Sequence, residues 1–407
     1  MNNNPLRRIV VGGLRGLRST WLVVGATLLL LVLIEVGFRI HQVSTTSFAR
    51  PYPIPEAYAK ADWFREYNVE YDKSITQRWK PLLYFGRTPS FQGKYINVDA
   101  EGHRVTPQPT SPAIPKASVY FFGGSTLWGD SQRDSFTIAA VTARRLQELA
   151  GPGDRIEVKN FGESGYVSTQ GVLGLEIELR AGKRPAVVVF YDGINDVVST
   201  VQMGVGGIPQ NEMKRASEFE LGRRLDRPSY LHTPASDLKT VAILSMASLR
   251  QLLSVNWVLQ RIKAPTPPMI SVDSAARAAV TMYAANARLV EALGKEYGFT
   301  PIFIWQTTLQ ATPKPLTPFE ERRVALIKSD PPQNRILEVH RVVPPMLDSV
   351  MAIAAPGHFI NQVAVFAGDT TNVFSDHIGH NTEQSIPKIV DGFWPQLKDA
   401  VSKRMMN

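Results

Sequence analysis

A chain of 407 residues that is 44% hydrophobic and 20% charged, with no low-complexity tract, has room for one large α/β domain or two ordinary ones. It has no cysteine, which excludes disulfides, thiolate metal sites, a lipoprotein anchor and a cysteine nucleophile, while leaving the redox compartment open. The formal charge of +9 does not describe a nucleic-acid surface: residues 1–40 hold five arginines (Arg7, Arg8, Arg15, Arg18, Arg39) and one glutamate, and the +5 that remains is spread over 367 residues. The basic run 214–227 is interleaved with Glu218, Glu220 and Asp226 and reads as a mixed, exposed helix.

Residues 21–34 (WLVVGATLLLLVLI) carry no charge, and VGF follows Glu35. The segment 21–38 is thus an apolar run of about 18 residues, enough to cross a bilayer at about 1.5 Å per residue. A cleaved signal peptide begins in the same way, but the one small-x-small triplet, Ser47-Phe48-Ala49, lies far beyond the apolar run, past Arg39 and His41. An uncleaved transmembrane anchor is expected. Four arginines precede it, so residues 1–20 are expected to form a cytoplasmic basic tail and everything after Arg39 to lie outside, in the periplasm if the cell is Gram-negative. Residues 39–84, rich in proline, tyrosine and charge, read as a membrane-proximal linker with some aromatic packing.

From residue 85 onward the chain alternates strands with helices. Residues 117–123 (ASVYFFG) are a short apolar run ending in glycines, as a parallel strand buried on both faces would be. A helix over 136–149 follows, then strands at 156–160, 186–191 and 301–305, with helices at 172–183 and 274–297 and Gly298 as a stop signal. Such alternation predicts a parallel sheet covered by helices on both faces, with the ligand site at the carboxyl ends of the strands. Two excursions interrupt it. Residues 200–270 include an amphipathic stretch at 241–262; residues 307–356 include a helix with Thr317 as cap, Pro318 at its first position and Glu320 closing a capping box. Each is either surface decoration or a lid or substrate platform.

The polar, glycine-rich segments fall at the strand ends. Taken in order, FFGGST, NFGESG, YDGIND and SDHIGH resemble the four motif blocks of the SGNH (GDSL) hydrolase superfamily, over roughly residues 85–400. The resemblance implies a flavodoxin-like, three-layer α/β/α fold preceded here by one transmembrane helix. It makes Ser125 the nucleophile, with the backbone N–H groups of Ser125 and Gly165 and the Asn195 amide as oxyanion donors. Seen alone, Gly165 is an ordinary turn glycine and Asn195 a helix cap. The base is one of two histidines in SDHIGHNTEQ. Asp376 adjoins His377, so their side chains diverge, whereas a loop can fold back between Asp376 and His380; His380 is therefore expected as base with Asp376 orienting it. His41, His103, His232, His340 and His358 lie in no matching segment.

Two departures stand out. Gly124 occupies the place of the family's aspartate before the serine, a GGST variant also found among membrane-anchored members, and the aspartate–histidine spacing is one residue longer than usual. Segments 98–106 and 303–321 also look like those of anchored members, and Gln306 lines the pocket or makes a structural hydrogen bond. Trp128 and Asp130 fall near the site without an assigned role. The expectation is a membrane-anchored serine esterase, without metal or organic cofactor, acting on an ester or O-acetyl group of a lipid, glycan or exported polysaccharide. An O-acetyltransferase using the same triad, or a non-catalytic glycan-binding module, are the alternatives.

Overall fold

The computed structural model describes residues 21–41, 54–109, 114–151, 154–212 and 270–406, with single positions at 215, 216, 219 and 252. The chain forms two units: Met1–Pro53 with Ser217–Pro267, and Ile54–Ala216 with Pro268–Asn407. His232, the amphipathic stretch 241–262 and most of the first excursion lie outside the described residues.

In the first unit, helix α1 (Trp21–His41) has a mean hydropathy of 2.4 over its apolar window. By length and composition it can cross a membrane, a property that signal sequences share. It runs three residues past the apolar segment, where Arg39 pairs with Glu35 one turn back at 3.0 Å.

The second unit is a three-layer α/β/α structure. After α2 (Phe64–Ser74) and an antiparallel hairpin of β1 (Gln77–Lys80) and β2 (Tyr84–Arg87), the core strands are β3 (Ala117–Gly123), β4 (Ile156–Asn160), β5 (Val187–Asp192), β6 (Thr300–Trp305) and β7 (Phe359–Asn361). All pair in parallel in the order β4-β3-β5-β6-β7, which is the doubly wound flavodoxin-like order. The short strand β7 at the sheet edge has no counterpart among the sequence expectations: three half-buried residues, FIN, carry too little pattern to stand out.

Alternate residues of each strand supply two separate cores, and this explains the uninterrupted apolar runs. Val119, Phe121, Val189 and Ile304 pack with α4 (Ile138–Leu149), α10 (Ile386–Asp391) and α11 (Trp394–Met406). Tyr120, Phe122, Phe190 and Phe303 pack with α5 (Ser168–Arg180), α7 (Val272–Tyr297) and α9 (Pro331–Ala354). On this second face a row of rings crosses three strands: Phe122 stacks on Phe190 at 5.5 Å between centroids, and Phe190 on Phe303 at 5.7 Å. Thr317 and Glu320 form the expected capping box at the start of α8 (Pro318–Ser329), and Gly298 ends α7 at φ 75°.

The stretch expected to link anchor and domain is folded from Ile54 onward. Tyr58, Phe64, Tyr67, Tyr95 and Ile96 form a third core around Trp128, just beyond β3. Trp128 is fully buried, with the Arg87 and Arg104 guanidinium groups each 4.2 Å from its ring. The aromatic residues of this stretch come from a short turn at Glu56–Tyr58 and from α2.

Candidate active site

The carboxyl ends of β3, β4 and β5 converge on a cleft of about 310 Å³ lined by Ser125, Asp130, Gly165, Asn195 and His380 among others. Close backbone approach builds it. At Gly123 a Cβ would lie 2.3 Å from the Tyr191 carbonyl oxygen, so only glycine lets β3 leave the sheet beside β5. The chain then turns directly into a four-residue helix, α3 (Ser125–Trp128), which presents Ser125 at its first position. Asn160 clamps the next loop: its amide donates to the Leu127 carbonyl (3.0 Å) and its oxygen accepts from Gly162 N–H (2.9 Å).

Ser125 Oγ lies 2.8 Å from His380 Nε2, and His380 Nδ1 lies 2.5 Å from Asp376 Oδ2. The longer aspartate–histidine spacing is accommodated by the loop itself. Asp376 Oδ1 accepts the backbone N–H groups of Ile378 (2.9 Å), Gly379 (2.8 Å) and His380 (3.1 Å), while Gly379 takes φ 106°. The loop thus wraps around the carboxylate, and the extra residue closes the turn. Burial alone would lower the His380 pKa, but Asp376's charge and hydrogen bond, with Asp130's charge behind them, raise it to about 9. Burial would raise Asp376, yet the charge and hydrogen bond of His380, with the Gly379 and His380 N–H groups, hold it at about 2.

This loop is fixed from outside. Glu320 accepts the N–H groups of Val373 (3.1 Å) and Phe374 (3.4 Å) and pairs with Lys314, both side chains being fully buried. On the far side Gln132 donates to the Asn381 carbonyl (3.1 Å), and Arg133 pairs with Glu383 (2.8 Å).

Gly165 and Asn195 line the same cleft. Gly165 adopts φ 82°, a left-handed conformation that favours glycine, and no crowding is involved, since a Cβ there would meet only Phe85 at 3.8 Å. Asn195 stands in the first turn of α6 (Ile194–Met203). Its amide nitrogen donates to the Tyr166 carbonyl (2.8 Å), and its oxygen accepts from Gln210 (3.0 Å). One amide hydrogen therefore remains for a ligand. Asp196, the next residue, accepts the Ser168 hydroxyl (2.6 Å) and N–H (3.1 Å), tying α5 to α6; burial pushes its carboxyl up to about 6.

Gly124 now has a physical reason. A Cβ at that position would fall 2.3 Å from the Asn195 amide nitrogen, so the missing side chain is the space the amide occupies.

Among the other candidates, His377 lines the cleft, but it is His380 that reaches Ser125. His103 Nε2 lies 3.4 Å from Lys80 Nζ, His358 pairs with Glu291 at 2.6 Å, and His340 is buried within α9. Gln306 donates to Thr126 (3.3 Å) beneath α3, the structural alternative for that residue. The second excursion contributes Gln310, Gln333 and Ile336 to the cleft. Sequence reasoning gave no role to Asp130, Ser164 or Gln210, which also line it; only Asp130's place five residues after Ser125 hinted at this.

No family model and no curated protein matches the chain. Solved structures do. The crystal structure of TesA is 15% identical, covering 70% of this chain and 99% of its own at a TM-score of 0.36. The acetyl xylan esterase AlAXEase is 12% identical, with 69% and 99% covered and a TM-score of 0.36. Axe2, an acetylxylan esterase from Geobacillus stearothermophilus, is 14% identical, with 69% and 94% covered and a TM-score of 0.34. At these scores the likeness carries no weight for the chemistry, which rests on the distances within the cleft.

Proposed function

We propose that the protein is a serine ester hydrolase of the SGNH type. The observation that carries this reading is the unbroken chain from Asp376 through His380 to Ser125, at 2.5 and 2.8 Å, opening on a cleft. Neutral His380 accepts the Ser125 proton as Oγ attacks the acyl carbon. Asp376 holds the tautomer and stabilises the imidazolium. The carbonyl oxygen, now an oxyanion, is received by the first-turn N–H of Ser125, by Gly165 N–H and by the spare hydrogen of Asn195. His380 then gives its proton to the leaving alcohol. Water enters, loses a proton to His380 and attacks the acyl-serine, and as the intermediate collapses to the carboxylic acid His380 returns that proton to Ser125 Oγ.

The substrate we infer is an ester or O-acetyl group on a glycan or lipid at the cell surface. In this reading α1 is an uncleaved anchor in the plasma membrane, with residues 1–20 in the cytoplasm and the second unit outside. A fluorophosphonate probe tests the chemistry: it should label the wild type at Ser125 and spare Ser125→Ala, and a folded wild type that resists the probe would sink the proposal. Protease added to intact spheroplasts should digest the second unit; protection of that unit would refute the orientation.

A further inference from the structure

Asp130 is a buried carboxylate that stands beside the reacting atoms. Its side chain is 9% exposed and it lines the cleft. Oδ2 accepts the Tyr71 hydroxyl at 3.0 Å, and Oδ1 has a long contact of 3.4 Å from the Ser164 hydroxyl. A carboxylate offers about four acceptor sites, so capacity remains on the side facing the cleft. Among the described residues its cationic partner is His380, with Oδ2 3.5 Å from Nε2. The nearby guanidinium groups are committed elsewhere: Arg87 to Glu163 at 2.8 Å and Arg104 to Asp134 at 2.6 Å. Asp130 thus lines the cleft beside the nitrogen that handles the reacting proton, where a ligand hydroxyl can donate to it.

The position of Asp130 relative to the reacting atoms defines what can fill them. Nε2 must deliver its proton to the leaving oxygen, which therefore sits a hydrogen-bond length from that nitrogen. Oδ2 of Asp130 flanks the same nitrogen. A hydroxyl on the carbon next to the ester-bearing carbon lies about one hydrogen-bond length from the leaving oxygen, within reach of Oδ2. We propose that Asp130 accepts this neighbouring hydroxyl and makes the enzyme selective for vicinal hydroxy esters, the chemistry of a partly acylated sugar or glycerol. The proposal rests on the ester-hydrolase reading and names its substrate class. The bond formed is charge-assisted and buried. A plain alkyl ester leaves the carboxylate unfilled against apolar carbon, and an anionic neighbour is repelled. The rest of the cleft agrees: Gln202, Gln210, Gln310 and Gln333 offer neutral amides, and no lysine or arginine stands among its described lining residues.

The test is a ratio of kcat/KM values within one protein, which cancels any general effect of Asp130 on His380 or on folding. Full-length protein in detergent is assayed on ethyl acetate, 2-hydroxyethyl acetate, glycerol monoacetate and a mono-O-acetylated methyl xyloside. Wild type is expected to favour the hydroxylated esters over ethyl acetate by on the order of 100-fold or more. That preference should collapse in Asp130→Ala and fall to an intermediate value in Asp130→Asn, an isosteric but weaker acceptor. The order of the glycerol and xyloside esters assigns the source of the hydroxyl. Equal rates on all four esters, or a preference that survives in Asp130→Ala, overturns the inference while the hydrolase reading stands. If no ester is cleaved and Ser125 resists the fluorophosphonate probe, both fall.

Discussion

Single residues carry the sharpest consequences. Gly124→Ala places a methyl group where the Asn195 amide nitrogen sits, 2.3 Å from the new carbon. It should lower kcat by about 10²- to 10³-fold, as losing one oxyanion donor does, while the same change in an Asn195→Ala background should do little more. Steady-state kinetics on the double-mutant cycle, with melting curves for each variant, reads this directly. His380 sets the pH dependence. It faces Asp376 from its own loop and Asp130 from the exit of α3, with the Tyr71 hydroxyl behind Asp130. Because its pKa is raised to about 9, the neutral form that accepts the serine proton accumulates only as pH rises. Activity should therefore climb through the neutral range and level off above about pH 9, with the midpoint moving down in Asp130→Asn. A flat profile between pH 6 and 9 would contradict this.

At the scale of elements, the loop with Asp376 and His380 depends on a neighbour distant in sequence. Glu320 caps α8, pairs with buried Lys314 and accepts two N–H groups of the segment leading into the loop. Glu320→Ala leaves Lys314 buried without its partner, and a loss of about 3–5 kcal/mol is expected, measured by urea unfolding. Arg104→Ala should cost a similar amount, because it abandons Asp134 and frees the carbonyls of Gly129 and Gln132 that its guanidinium holds. The helix starts were legible at this scale. Thr317, Pro318 and Glu320 act within one turn, so their meaning is local. The strand β7 and the folded segment from Ile54 were not, because their residues acquire a partner only when distant chain arrives: Phe359 lies beside Phe303, and Tyr58 donates its hydroxyl to Ser131.

For the whole molecule, every residue of the candidate triad and of the oxyanion donors falls within residues 54–216 and 268–407. A chain starting at Ile54 is expected to leave the membrane fraction and still react with a fluorophosphonate at Ser125, a result read by fractionation and gel labelling. Loss of labelling in a folded truncation would show that labelling at Ser125 needs residues 1–53.

The sequence by itself determined the parallel sheet, since strands buried on both faces must be apolar throughout, and the order of the four polar blocks that close those strands. It also put His380 ahead of His377 as the expected base, because the side chains of Asp376 and its immediate neighbour diverge. Only the tertiary structure decided how the longer aspartate–histidine loop is held, with three backbone N–H groups gathered on one carboxylate oxygen. The same is true of Gly124 and Asp130. The glycine answers to Asn195, which is 71 positions away in the chain, and the aspartate faces a histidine 250 positions away. Contacts of that range leave no periodicity in the sequence, because they exist only once the strand ends have been brought together.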